Sequence, residues 1–244
     1  MVDLHSSFYY LELKMKKICI LTSFTNHIRW DNYGKCDYGQ LSSQNHSEYS
    51  FKHNYTFIKE IVENDDYPNW HPTWIKIDVI RKYLPLFDYV VWIDADAVFL
   101  NQDVTIESLL HDDTDLVIPK LEFDQVGQQM WTHTTTGFMV WKNSEWSRSI
   151  LDELWNNPND YRVNFFHEQS RLDELLMNKF SLPNGDNILN KDIEDLNGPL
   201  KLDNIVILPY SYHRYFENST IDYVYHAGGN TGTKTSRIKQ VLDL

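Results

Sequence analysis

The sequence predicts an α/β domain with a mainly parallel central sheet flanked by helices. Short apolar runs of strand length recur along the chain, and segments of helical period separate them. One apolar run stops abruptly at two aspartates, and in open α/β sheets ligands gather at the carboxyl ends of strands.

The elements follow in order. Residues 17–24 form an apolar run behind lysines, a buried first strand ending in polar Thr22 and Ser23. Residues 26–44 hold Asn32, Gly34, Asp37 and Gly39 and are expected to be a loop. Phe51, Tyr55, Ile58 and Val62 recur at helical spacing, which predicts an amphipathic helix over 47–62, stopped by Asn64, Asp65, Asp66 and Pro68. A second helix is expected over 73–84, capped by Thr73 and ended by Pro85. The run 88–93 is strand-like and meets Asp94, after which Val98, Phe99 and Leu100 resume the apolar pattern. A short helix at 104–111, a strand at 115–119 and a strand at 134–141 come next. Helices are expected over 144–156 and 168–180, the latter with Leu172, Leu175 and Leu176 inward, and short strands over 205–208 and 223–225.

Composition narrows the function. The 244 residues suffice for one full-sized domain, with no linker and no internal repeat. A net charge of −13 repels nucleic-acid phosphates and anionic membranes, so a phosphate-bearing ligand needs a cation in between. Cys19 and Cys36 make no disulfide framework, and Cys19 is read as a small packed hydrophobe. No apolar stretch approaches the ~20 residues that span a bilayer. The mixed charges of residues 1–17 match neither a signal peptide nor an anchor, so a cytoplasmic location is expected.

The central candidate is the pair Asp94 and Asp96, two carboxylates where a buried strand stops. Ionised carboxylates are costly to bury unpaired, and a cation between them removes that cost. Mg²⁺ and Mn²⁺ bind through one or two carboxylates plus substrate phosphates and can neutralise a departing diphosphate. The plain alternative is a pair of turn residues. His226 lies at the end of a strand that runs into Gly228 and Gly229; imidazole suits Mn²⁺ better than Mg²⁺, and the alternative is a histidine that only caps the strand. Gly137 stands at a strand entrance, where a small residue admits a ligand or marks a bulge. Glu168 and Gln169 open a helix, where an acid complements the dipole with or without a further role.

Taken together, these segments resemble the galactosyl-, mannosyl- and xylosyltransferases of glycosyltransferase family 34. The pieces occur in family order: Asn45 and His46 with Tyr49, His53, Asn54 and Tyr55; Pro72 through Lys76 to Pro85; Trp92 to Asp96; Thr136 and Gly137 with Asn143 and Trp146; Glu168, Gln169 and Ser170; and Tyr225 to Gly228. The resemblance implies a glycosyltransferase-A fold, a single catalytic domain over 1–244 with 1–16 as a flexible extension, and a nucleotide-diphosphate sugar donor. UDP is the first choice of nucleotide and GDP the second, with a glycan or glycoprotein acceptor. It implies retention of configuration and Mn²⁺, with Mg²⁺ as the substitute. Asp94, Asp96 and His226 would hold the metal, and Thr22 and Ser23 would lie along the nucleotide. Lys76 would sit near the base or phosphates and Gly137 beside the sugar. Glu168 and Gln169 would stand near the transferred sugar, with Asp96 counted among the catalytic groups. Gly228 would line the phosphates, and Lys234 is the candidate phosphate lysine. Family members usually carry a Golgi anchor, so a Golgi-lumenal location is the alternative to the cytoplasm.

Two other readings compete. Phosphatases of the haloacid dehalogenase type also end a strand in Asp-x-Asp, but near the start of the chain, and about ninety residues precede the pair here. A non-catalytic sugar-binding module would explain the aromatics but not the acidic pair with a glycine-flanked histidine.

Overall fold

A computed structural model describes residues 16–25, 37–62, 70–120, 134–162, 167–179, 198–209, 212–214, 223–227 and 231–244. The elements run β1 (Ile18–Thr25), α1 (Asp37–His53), β2 (Thr56–Val62), α2 (Ile75–Tyr83), β3 (Tyr89–Ile93), β4 (Ala97–Phe99), β5 (Leu116–Pro119) and β6 (Phe138–Lys142). They continue with α3 (Glu145–Asn156), α4 (His167–Lys179), β7 (Leu200–Leu202), β8 (Ile205–Leu208), β9 (His213–Arg214), β10 (Val224–His226) and α5 (Thr231–Val241).

Seven strands form the main sheet in the order β2-β1-β3-β6-β5-β8-β7. β1, β2 and β3 are mutually parallel, β5 and β8 are parallel, and β6 and β7 oppose their neighbours. Five strands therefore share one direction, the mainly parallel sheet the sequence predicts. Side chains alternate between two cores, as the period of a strand requires. Cys19, Leu21, Val90, Trp92, Met139 and Trp141 face one, packed with Ile77 and Ile80 of α2, Leu151 of α3 and Leu172 of α4. Ile18, Ile20, Val91, Ile93, Phe138 and Val140 face the other, with Tyr49 of α1 and Val224 of β10. Burial on both faces explains the continuous apolar runs. It also pushes the Cys19 thiol up to about 12.

Helix and strand trade places at one point. The expected loop to residue 44 is helical from Asp37, and the expected helix to residue 62 ends at His53. Asn54 then takes a left-handed φ of 58°, the usual exit from a helix. Thr56 to Val62 pair residue for residue with β1. The helical spacing of Phe51, Tyr55, Ile58 and Val62 is a coincidence across that junction: Phe51 is 89 % exposed, and the β-branched Thr56, Ile58, Ile61 and Val62 suit a strand. Two further differences are small. His71, not Thr73, caps the turn into α2, its ring accepting from the Thr73 amide. The strands β7 and β9 and the helix α5 have no counterpart among the elements expected from sequence.

A small second sheet, β4-β10-β9, leaves β4 with one open edge. Helix α1 covers it with side chains instead of a strand. Ser42 Oγ donates to the Ala95 carbonyl at 2.6 Å, and His46 Nε2 meets the Ala97 carbonyl at 2.8 Å. Asn45 accepts from the Phe99 amide at 2.8 Å and donates to its carbonyl at 2.9 Å. Ala97 and Phe99 alternate along β4, so their carbonyls leave the same side of the strand, and the Ala95 carbonyl of the preceding turn faces the same helix. Further along, His53 meets the Gln102 carbonyl and Tyr49 donates to that of Val104. Gly39 lets the helix start close to β1, because a Cβ there would lie 2.9 Å from the Phe24 ring.

Asn45→Ala leaves the Phe99 amide and carbonyl buried without partners, and urea denaturation is expected to show a loss of about 2–3 kcal/mol. Burial pulls His46 down to about 4, against the hydrogen bond to Ala97, which favours the charged ring. A folded value below the unfolded one means that this contribution is complete above about pH 6.5 and is lost as pH falls toward 4. The stability difference between wild type and His46→Gln is therefore expected to shrink on going from pH 7 to pH 4.5, by up to about 3 kcal/mol.

Candidate active site

The aspartates leave β3 at the carboxyl edge of the sheet. The Asp94 amide donates to the Gly137 carbonyl at 2.9 Å, and the Asp94 carbonyl accepts from Ala97 at 3.0 Å, closing a tight turn. β10 then pairs with β4 so that His226 stands opposite Ala97, and the Ala227 amide donates to the Asp96 carbonyl at 2.8 Å. One ligand atom each from Asp94, Asp96 and His226 lie within 4.8 Å of one another. Two carboxylates and one imidazole suit a divalent cation of the Mn²⁺ type.

Each aspartate has its own cation. Lys76, on the first turn of α2, is buried and reaches Asp94 Oδ1 at 2.9 Å and Glu168 Oε1 at 3.0 Å. Burial alone would lower the Lys76 ammonium; the Asp94 and Glu168 charges outweigh it and hold the proton well above the usual lysine range. Lys234, on α5, forms a short ion pair with Asp96 Oδ2, while His226 Nε2 lies 2.9 Å from Oδ1. For Asp96, burial pushes the carboxyl up, and His226 and Lys234 together hold it well below the usual carboxylate range. Asp94, Asp96 and Glu168 against Lys76 and Lys234 leave one formal negative charge, which favours a further cation.

Glu168 and Gln169 open α4, and both meet Thr136: its hydroxyl donates to Glu168 Oε1 at 2.9 Å, and its amide donates to Gln169 Oε1 at 3.1 Å. Glu168 Oε2 is buried and has no hydrogen-bond partner among the described residues. Thr22 is buried on β1, with Oγ1 likewise unbonded, and Ser23 is half-buried beside it. Leu21 pairs with Trp92, so both run toward the same sheet edge as Asp94. Gly228 lies outside the described residues.

Gly137, expected beside the sugar, also borders two histidines. A Cβ there would lie 2.7 Å from both His213 Nε2 and His226 Nδ1, so the glycine makes room for two imidazoles. His213 is fully buried on β9, and its ring stands 5.1 Å from that of His226 at 84°. Burial, then the neighbouring His226, pushes its value well below the usual imidazole range, so it is neutral. His213 and Thr136 escaped the sequence reading. His213 is one of ten histidines with no local motif, and Thr136 stands in the sequence only as the neighbour of the motif glycine, with nothing local to show its bonds to α4.

The architecture is the glycosyltransferase-A fold. The structure resembles that of a glycosyltransferase involved in glycosylation of the major capsid of PBCV-1, with a TM-score of 0.58 and 13 % identity over 91 % of this chain and 99 % of that one. It also resembles the galactosyltransferase LgtC in complex with donor and acceptor sugar analogs, with a TM-score of 0.53 and 11 % identity over 92 % and 95 %. The chain belongs to the galactosyl transferase GMA12/MNN10 family, whose model it matches over residues 14–193. Relatives include the probable α-1,6-mannosyltransferase MNN10 of Saccharomyces cerevisiae, 23 % identical over 53 % of this chain and 39 % of the relative. The galactomannan galactosyltransferase 1 of Cyamopsis tetragonoloba is 26 % identical over 59 % and 33 %. The probable xyloglucan 6-xylosyltransferase 3 of Arabidopsis thaliana is 32 % identical over 32 % and 18 %. The chain thus spans less than half the length of these curated relatives. Family and fold set aside the haloacid dehalogenase alternative.

Gly137→Ala is expected to drive the His226 ring off its place, weakening any divalent-cation binding at this centre more than tenfold and costing about 1–3 kcal/mol of stability. Calorimetric Mn²⁺ titration and thermal unfolding measure the two separately.

Proposed function

We propose that this protein transfers a hexosyl or pentosyl unit from a nucleotide-diphosphate sugar to a glycan hydroxyl, with retention of configuration. The convergence of Asp94, Asp96 and His226 at the carboxyl edge of the sheet, in a chain of this family, carries the proposal. UDP is the first choice of nucleotide and GDP the second. Mn²⁺, or Mg²⁺ in its place, would be held by Asp94, Asp96 and His226 and would supply neutralisation of the diphosphate leaving group.

The chain's own residues divide the remaining work. Lys234 starts at Asp96 and is poised to follow the negative charge onto the diphosphate, beside the amino end of α5, where backbone amides favour anions. Thr22 and Ser23 lie along the nucleotide. Lys76 stands between Asp94 and Glu168 and screens their charges from each other. Glu168 and Gln169 border the transferred sugar on the α4 side. The Gln169 amide is a weak nucleophile and is tied to the Thr136 backbone, and Glu168 Oε1 is shared between Lys76 and Thr136. The weak, tied Gln169 amide favours attack by the acceptor hydroxyl from the leaving-group side over a covalent intermediate on Gln169.

Calorimetry of UDP and GDP, with and without Mn²⁺, tests the reading. Wild type is expected to bind one of them only with metal, and Asp96→Ala is expected to abolish that binding while retaining cooperative unfolding. Normal metal-dependent binding by Asp96→Ala would overturn the ligand assignment.

A further inference from the structure

We propose that helix α1 is a positioning element for the metal turn, acting through the Ser42 hydroxyl on the peptide between the two aspartates. The inference rests on the metal site proposed above and adds residues that touch neither metal nor donor.

The argument begins with a choice the hydroxyl makes. A serine inside a helix ordinarily bonds back to a carbonyl in the preceding turn. Ser42 has such an acceptor in Gly39, at 3.3 Å, yet sits 2.6 Å from the Ala95 carbonyl. It has one proton, and the geometry gives it to Ala95. That carbonyl belongs to the peptide whose nitrogen is Asp96's own, so holding it fixes the plane from which the Asp96 side chain departs. The Ala95 methyl is buried with Phe24, Tyr38, Val98, Tyr225 and Ala227, so the residue is gripped from both ends. His46 and Asn45 then secure Ala97 and Phe99, the next residues facing the same way.

The turn needs such support because its partners are unevenly placed. β10 supports it from one side through the Ala227 amide and the pairing of His226 with Ala97. On the other side, among the described residues, no strand is paired with β4, and α1 contacts that edge. Residues 42, 45 and 46 lie on one helical face, so one rigid helix sets three backbone positions together. Without the Ser42 bond, the Ala95 peptide is free to turn and the carboxylates of Asp94 and Asp96 lose their common focus.

The test is Mn²⁺ binding, followed by the electron paramagnetic resonance signal of the free ion, alongside thermal unfolding. Ser42→Ala is expected to weaken Mn²⁺ binding about tenfold, and Ser42→Thr, which keeps the hydroxyl, to restore most of it. Tyr49→Phe removes the bonds to the Val104 carbonyl and to the Tyr223 hydroxyl, toward the far end of the same helical stripe and away from the Ala95 peptide. It is expected to lower stability to a similar extent without changing Mn²⁺ affinity. Should Ser42→Ala fail to fold, Ser42→Cys keeps the volume and a weak donor, and an intermediate loss of affinity is expected. Wild-type affinity in every folded Ser42 variant that lacks the hydroxyl, or an equal loss in Tyr49→Phe, overturns the inference while leaving the metal site standing. A wild-type protein that binds no Mn²⁺ removes the metal site, and this inference with it.

Discussion

Three carboxylates, Asp94, Asp96 and Glu168, meet at the end of a sheet that is buried on both faces, and the rest of the site follows from how they are tolerated. An unpaired buried carboxylate costs several kcal/mol. The fold brings a cation to each: Lys76 to Asp94 and Glu168 together, Lys234 to Asp96. Placing Lys76 requires α2 to begin at the sheet edge, and placing Lys234 requires α5 to pack beside α1. Hydrophobic burial builds the sheet, but charge compensation dictates which helix ends must reach its carboxyl edge.

The open edge of β4 imposes the second constraint. An uncovered strand edge exposes backbone groups that must find partners or water. Here α1 supplies them from Ser42, Asn45, His46, Tyr49 and His53, a polar stripe along a helix whose buried residues are mostly polar. Polar residues at inward positions weaken the ordinary amphipathic signal. The helix that matters most to the turn is thus the one whose pattern is hardest to recognise.

That explains what was legible. Buried strands such as β1, β3 and β6 announce themselves as apolar runs, and α3 announces itself through Ser144, whose hydroxyl accepts from the Ser147 amide at its amino end. Asp94, Asp96 and His226 were legible because strand ends and glycines frame them. The α1–β2 junction was not, since local spacing cannot report that a polar helix face will be paid for by strand carbonyls some fifty residues away. His213, and the role of Thr136 beside its motif glycine, had no local signal for a related reason: they act through packing across Gly137 and hydrogen bonds to α4, neither of which has a local pattern.

The same geometry divides the Asp-x-Asp pair between two layers of the protein. Asp94 accepts from Trp92 Nε1 at 2.7 Å and is held by Lys76, on the side covered by α2, α3 and α4. Asp96, after the turn, is held by His226 and Lys234, on the side of β10 and α5. Two residues that look alike in sequence are therefore governed by different neighbours. Glu168, Gln169 and Thr136 belong with Asp94, so the α4 side holds the groups suited to sugar hydroxyls and the reacting carbon. Lys234 and the amino end of α5 belong with Asp96, so the opposite side holds the groups suited to a diphosphate. A donor whose sugar and diphosphate straddle the turn matches that division. An isolated phosphate or a free glycan would use only half of it.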